Sequence, residues 1–181
     1  MRRFTMLTIC VLFLACFTAT TAWAQNPHFI SASDAVVTTG TDAGDLVVSF
    51  KEAGLGNNVT INYTASGGGS ATYACINGGG NHPSASNKVT NQGPVSASGA
   101  FNSGKNGSIT ASLTLEEVGA GTFSCPGGQS LVLGSVSYSG VTLTDDTNTS
   151  VAPESLPDRT ITFCDIDNLT KATVKNCVTP D

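Results

Sequence analysis

Charge is scarce in this chain. Of 181 residues, 12% are Asp, Glu, Lys or Arg, and the basic ones are the rarer kind, 8 against 13 acids, for a net of −5. A nucleic-acid or anionic-membrane binder needs a basic patch, and this balance argues against one. The chain also lacks the Ala, Glu, Lys and Leu enrichment at 3.5 to 3.6 spacing that would mark a coiled coil or a helical repeat. Histidine occurs twice, at His28 and His82, which limits histidine-based catalysis and histidine-rich metal sites. No Gly-x-Ser-x-Gly elbow, His-Glu-x-x-His pair or phosphate-binding Walker loop is present. Neither a metal nor a cofactor is expected.

What is present begins with an export signal in residues 1–24. Arg2 and Arg3 precede an apolar run from Met6 to Phe17, and Ala22-Trp23-Ala24 places small residues where a signal peptidase inspects them. Cleavage is expected after Ala24, which gives a secreted chain. At about 12 residues the run is too short to span a bilayer, for which about 20 are needed, so no membrane span is expected. The competing reading, a lipoprotein signal ending at Ala15-Cys16, is disfavoured by Phe13 and Leu14 at the two preceding places. Removing the segment takes two basic residues and no acid, leaving 6 against 13, a net of −7. It also removes Trp23, the sole tryptophan, and with it much of the case for an aromatic sugar-binding platform.

Four cysteines then remain, Cys75, Cys125, Cys164 and Cys177, an even number in an oxidising compartment. Of the three connectivities, Cys75 with Cys125 and Cys164 with Cys177 is preferred, because the second pair closes a short tail onto the last strand. No two cysteines have the short spacing of a structural zinc site.

From Asp34 onward, segments rich in Val, Thr, Ile, Ser and Tyr alternate apolar and polar residues, the period of half-buried strands. Residues 46–50, 59–64, 71–76, 95–101, 108–115, 131–144 and 160–163 qualify. Between them Gly67-Gly68-Gly69, Gly78-Gly79-Gly80 and Asn106-Gly107 read as turns, and Asn106-Gly107 predicts a hairpin pairing the runs on either side. Seven or eight such strands without a helix predict an all-β chain, an antiparallel β-sandwich of immunoglobulin or fibronectin type. A closed barrel is the alternative. The sandwich is assigned to residues 25–164, with residues 165–181 a disulfide-tied appendage and 147–157 a flexible loop.

Acidic pairs at Glu116-Glu117, Asp145-Asp146 and Asp165 with Asp167 read as exposed turn carboxylates, although two facing acids across a cleft would suit glycoside hydrolysis. Asp165-x-Asp167-Asn168 starts like a calcium loop but lacks the glycine and the distal Glu. A copper site on His28 would require cleavage after Pro27. Tyr63, Tyr73 and Tyr138 are expected to pack with their hydroxyls at the sheet edge. Asn-x-Ser/Thr sequons stand at Asn58, Asn62, Asn106, Asn148 and Asn168, glycan acceptors only in a eukaryotic secretory route. The segment from Asn77 to Lys88 concentrates Asn77, Asn81, His82 and Lys88 around three glycines, and these four are the candidate ligand-binding residues.

The segments Phe50-Lys51-Glu52-Ala53-Gly54-Leu55-Gly56, Ala74-Cys75-Ile76-Asn77-Gly78-Gly79, and Val136-Ser137-Tyr138 leading to Leu143-Thr144-Asp145 resemble an uncharacterised group of small secreted proteins found among bacteria and fungi. The resemblance covers roughly residues 46–162. It implies export, a β-rich fold and pairing of Cys75 with Cys125, and it carries over no catalytic residue. The expected function is that of a secreted, non-enzymatic, monomeric binding module for an extracellular glycan or protein. A glycan-directed hydrolase using paired carboxylates, and a secreted inhibitor or effector, are the alternatives.

Overall fold

Alternation of apolar and hydroxyl-bearing side chains carries through into eight strands: β1 (His28–Val36), β2 (Leu46–Ala53), β3 (Thr60–Asn77), β4 (Lys88–Asn102), β5 (Ser108–Leu115), β6 (Gln129–Asp145), β7 (Glu154–Ser155) and β8 (Arg159–Thr162). The computed structural model describes residues 26–77, 87–169 and 177–180. The expected signal segment and its cleavage site lie outside them. Two antiparallel sheets form, β1-β2-β5 and β4-β3-β6-β7, with β8 also paired to β6. The chain is an antiparallel β-sandwich, and the two expected disulfides, Cys75–Cys125 and Cys164–Cys177, are both formed. Relative to the immunoglobulin constant type, whose fourth strand closes the first sheet, β4 has moved to the edge of the second.

In β5 the reading of faces is direct. Ile109, Leu113 and Leu115 are buried, while Thr110, Ser112 and Thr114 are exposed. Facing strands supply Leu46, Val48 and Phe50 from β2 and Ile61, Tyr63 and Ala65 from β3, and one core fills the space between the sheets. Its aromatic end stacks Phe50 on Tyr63 at 4.6 Å between ring centroids, with Phe29 and Phe101 around them. Arg159 on β8 ties the two sheets together by donating from Nε and Nη2 to the buried Asp34 carboxylate on β1, at 3.1 and 2.9 Å.

Several expectations need correction. The strand β1 begins at His28, before the Asp34 at which the alternation was first read. Gly67-Gly68-Gly69 is not a turn: the runs around it fuse into the 18-residue β3. These glycines serve close approach, since a Cβ on Gly69 would lie 2.9 Å from methyls of Val95 and Val118, and one on Gly67 would lie 2.8 Å from Val141. The Asn106-Gly107 hairpin does not pair its flanking runs either. β4 pairs with β3 and β5 with β2, so the link changes sheets. A short 3₁₀ turn ends there on Gly107 at φ +62°, and Ser103 docks it on the 56–59 loop by donating to Gly56 O at 2.6 Å and accepting from Val59 N at 2.9 Å. Local turn chemistry was read correctly, but a sheet-changing corner uses the same residues as a hairpin. Within the supposed loop 147–157 lies the short strand β7, and Leu156 N donates to Val141 O.

The second sheet is much longer than the first, with strands of 15 to 18 residues against 8 or 9. Where the first sheet stops, residues 116–124 form a strap across the inner face, and Val118, Ala120 and Phe123 pack on the core. The outer face is covered by the tail, which explains the unbroken apolar run Tyr73-Ala74-Cys75-Ile76. Ala74, Ile76 and Val132 point away from the main core into a second cluster with Cys164, Ile166 and Leu169. Beyond the second disulfide, Leu133 N donates to Val178 O, so the free side of β6 is met in turn by Val178, β8 and β7.

Candidate functional site

The strap, not the strands, shapes an indented surface along β4. Two hydrogen bonds pin it. The Tyr73 hydroxyl donates to Val118 O at 2.9 Å, and Asn91 Nδ2 donates to Gly119 O at 2.8 Å. On either side of these bonds lie shallow grooves, one of about 660 Å³ between Val89, Asn91 and residues 120–124, the other of about 490 Å³ between residues 94–98 and Thr114, Glu116, Glu117 and Val118. Their polar lining is hydroxyl, amide and carboxylate, and among the described residues neither contains a basic side chain.

Beneath the second groove two carboxyl groups meet. Glu117 N donates to Asp45 Oδ1 at 3.0 Å, and the Tyr73 hydroxyl lies 3.3 Å from Glu117 Oε1. Burial, together with the contact to Glu117, pushes the Asp45 carboxyl up to about 6. The same acids and burial hold the Tyr73 and Tyr138 hydroxyls above their ordinary value. Tyr138 donates to Gly44 O at 2.7 Å, beside Asp45.

At the aromatic end the sandwich buries another acid that the sequence reading missed. Glu52 is fully buried, and among the described residues its oxygens and the Tyr63 hydroxyl have no hydrogen-bond partner. Burial, and beyond it the nearby Asp145, push its carboxyl up to about 7. Glu52 follows Phe50 at the core-facing period of β2, a signal that was legible but reads as a flaw in the alternation.

The candidate binding residues distribute as follows. Asn77 ends β3 and Lys88 begins β4, at the disulfide end of the grooves, two residues from Cys75. Lys88 is engaged in an ion pair with Asp167 of the tail. Asn81 and His82 lie outside the described residues. His28 Nδ1 lies 2.8 Å from Asn26 O, and among the described residues no group of three or more His, Cys, Asp or Glu is placed to hold a metal.

Other acids are committed to local structure, and Asp145, expected at the surface, is buried. It accepts from Thr147 N, Asn148 N and Asn148 Nδ2 at 2.6 to 2.8 Å. Asp165 repeats the arrangement with Asp167 N, Asn168 N and Asn168 Nδ2 at 2.7 to 3.2 Å. The calcium-like motif is thus an Asp-x-x-Asn turn. Two sequon amides, Asn148 and Asn168, are spent in these turns. Asn58, at φ +56°, Asn62 and Asn106 are exposed, and with Asn148 they gather at the sandwich end away from Cys75: Asn58 N bonds Gly104 O and Asn62 N bonds Thr147 Oγ1. The three tyrosine hydroxyls are all internal, because residues 43–45 and the strap reach over the sheet and accept from Tyr138 and Tyr73, while Tyr63 faces Glu52.

Compared with known proteins, the chain matches no family model and no curated relative.

Proposed function

We propose that this protein is an exported, non-enzymatic binding module, and that its ligand, a glycan or a protein segment, lies in the grooves along β4. The observation that carries the reading is the surface itself, an indented strip of backbone, hydroxyl, amide and carboxylate groups beside a strand that carries no charge from Val89 to Asn102. Such groups recognise an extended ligand by hydrogen bonds and shape. The acids favour binding over hydrolysis, because several already have structural duties: Asp34 holds Arg159, Asp145 and Asp165 hold their turns, Asp167 pairs with Lys88, and Asp146 accepts from Thr64. Asp45 likewise fastens the strap by accepting from Glu117 N at 3.0 Å. Disulfides on both sides of the second sheet suit an oxidising, extracellular setting.

The test is an array of cell-wall polysaccharides, oligosaccharides and peptides probed with the mature chain and with Ser96→Trp, which adds bulk at an exposed residue of the second groove's lining. Hits that disappear with Ser96→Trp support the reading. Hits that survive it unchanged move the site elsewhere.

A further inference from the structure

The edges of the two sheets, β1 and β5 in the first and β4 and the outer side of β6 in the second, differ in how they are protected. β5 is uncharged but short, at 8 residues. β1 carries the buried Asp34 and a register break between Phe29 and Ser31, and the outer side of β6 is met by β7, β8 and Val178. β4 ends its sheet and is 15 residues long, yet from Val89 to Asn102 it contains no charged residue, although charge is a common guard of natural edges.

Its one guard fixes the direction of its backbone groups. Pro94 sits opposite Gly68 in an unbroken register, and having no N–H it takes a place that faces away from β3. Alternation then turns the N–H and C=O of Ser96, Ser98 and Ala100 to the same free side. Ser103, of opposite parity, bonds inward to Val59 O, as this phase requires. None of Ser96, Ser98 and Ala100 has a further backbone partner among the described residues. The free groups repeat every second residue, about 6.8 Å, which is the repeat of another peptide strand.

We propose, resting on the binding-module reading above, that β4 is a strand-addition site taking an extended, lysine- or arginine-bearing segment of another protein along residues 95–102. Charge selects the partner. Glu116 and Glu117 line the groove at the Pro94 end, with Asp45 behind Glu117 and no cation in the lining. A second copy would bring the same acids and a net of −7 against them, and Pro94 would interrupt a longer pairing of β4 with itself. Alternate side chains of the incoming strand would lie over half-buried Ala97 and Phe101, so small apolar residues fit there, with polar ones between them.

The experiment records amide shifts of the isotope-labelled mature chain with an octapeptide of alternating valine and threonine ending in two lysines. Its controls are the same peptide N-methylated at alternate residues, a version ending in two glutamates, and a neutral cello-oligosaccharide. The expected result is shifts at residues 95–102 and 116–117, weakened at least about tenfold by N-methylation, equivalent to one or two hydrogen bonds. The glutamate version binds more weakly, and Ser98→Pro, which removes one outward N–H, reproduces the N-methylation loss. Because N-methylation leaves the protein untouched, a folding defect in Ser98→Pro does not blur the result. Equal binding of the methylated and parent peptides overturns strand addition. If the oligosaccharide shifts β4 and no peptide does, the peptide proposal falls and the groove reading stands. If nothing shifts β4, both fall.

Discussion

The backbone N–H of Glu117 donates to the carboxylate of Asp45 at 3.0 Å, so the strap is fastened to the start of β2 by a contact that also brings two acids together. Burial and the Glu117 side chain favour a proton on Asp45, while the N–H donated to its carboxylate favours the ionised form, and burial prevails.

A pH dependence follows for this fastening. Burial and Glu117, with Asp42 also nearby, raise Asp45 from 3.8 to about 6. The folded chain therefore keeps this proton at higher pH than the unfolded one. The associated stability is full below about pH 4 and is lost as pH rises to about 6, roughly 2 to 3 kcal/mol. Asp45→Asn, which still accepts from Glu117 N, should flatten that part of the profile. Urea unfolding of the mature chain at pH 4 and pH 8 measures it, and an unchanged slope in the variant counts against the pair.

Glu52 should act in the same direction over a higher window. Its carboxyl is raised from 4.5 to about 7, first by burial and then by Asp145. Ionisation in the folded state costs stability between about pH 4.5 and 7. Glu52→Gln is expected to stabilise the protein at pH 8 by about 2 to 3 kcal/mol and to change little at pH 4. A loss of stability at pH 8 would show that the carboxylate is better accommodated than its missing partners imply.

The repeated Asp-x-x-Asn turns differ in burial, and their variants should differ accordingly. Asp145→Ala leaves Thr147 N, Asn148 N and the Asn148 amide without their acceptor beside the core, for about 2 kcal/mol. Asp165→Ala, in an exposed turn, should cost about 1 kcal/mol or less. Denaturant midpoints of the two variants, compared at one pH, give the ranking.

The two disulfides should separate by what they release. Replacing Cys75 and Cys125 with Ser opens the longer loop, for about 4 kcal/mol in the chain-entropy account, and replacing Cys164 and Cys177 opens the shorter, for about 3. Hydrogen exchange should quicken in residues 118–124 for the first pair and at Leu133 for the second. Unchanged exchange in both places would mean that the strap and the tail are held by packing alone.

Much of the sandwich was legible because it is written locally. Period-2 alternation in β5, glycine and asparagine between runs, and an even set of four cysteines are each legible from the residues themselves. Partner choice is different. Nothing near Asn106-Gly107 says whether the strands on either side bond to each other or to β3 and β2, and nothing near Gly67-Gly68-Gly69 tells a turn from a strand whose neighbours approach too closely for a side chain. The tyrosines were expected to present hydroxyls at the edge, but acceptors 45 and 94 residues away in the chain took Tyr73 and Tyr138 inside.

The candidate site was legible only at its ends. Asn77 and Lys88 flag the disulfide end of the grooves, whereas β4 itself reads as an unremarkable uncharged strand. It becomes an edge because the fourth strand joins the second sheet, a choice made by packing of Phe101, Val95 and Ala97 against the shared core.

By itself, then, the sequence determined that this chain forms strands and presents Cys75, Cys125, Cys164 and Cys177 for pairing, since alternation and turn residues act over a few positions. Tertiary structure alone decided that Glu52 is buried, that Asp45 meets Glu117, and that β4 is left with free backbone groups. Those outcomes depend on which distant segments share a sheet or cover a face, and burial and proton affinity are properties of that shared space.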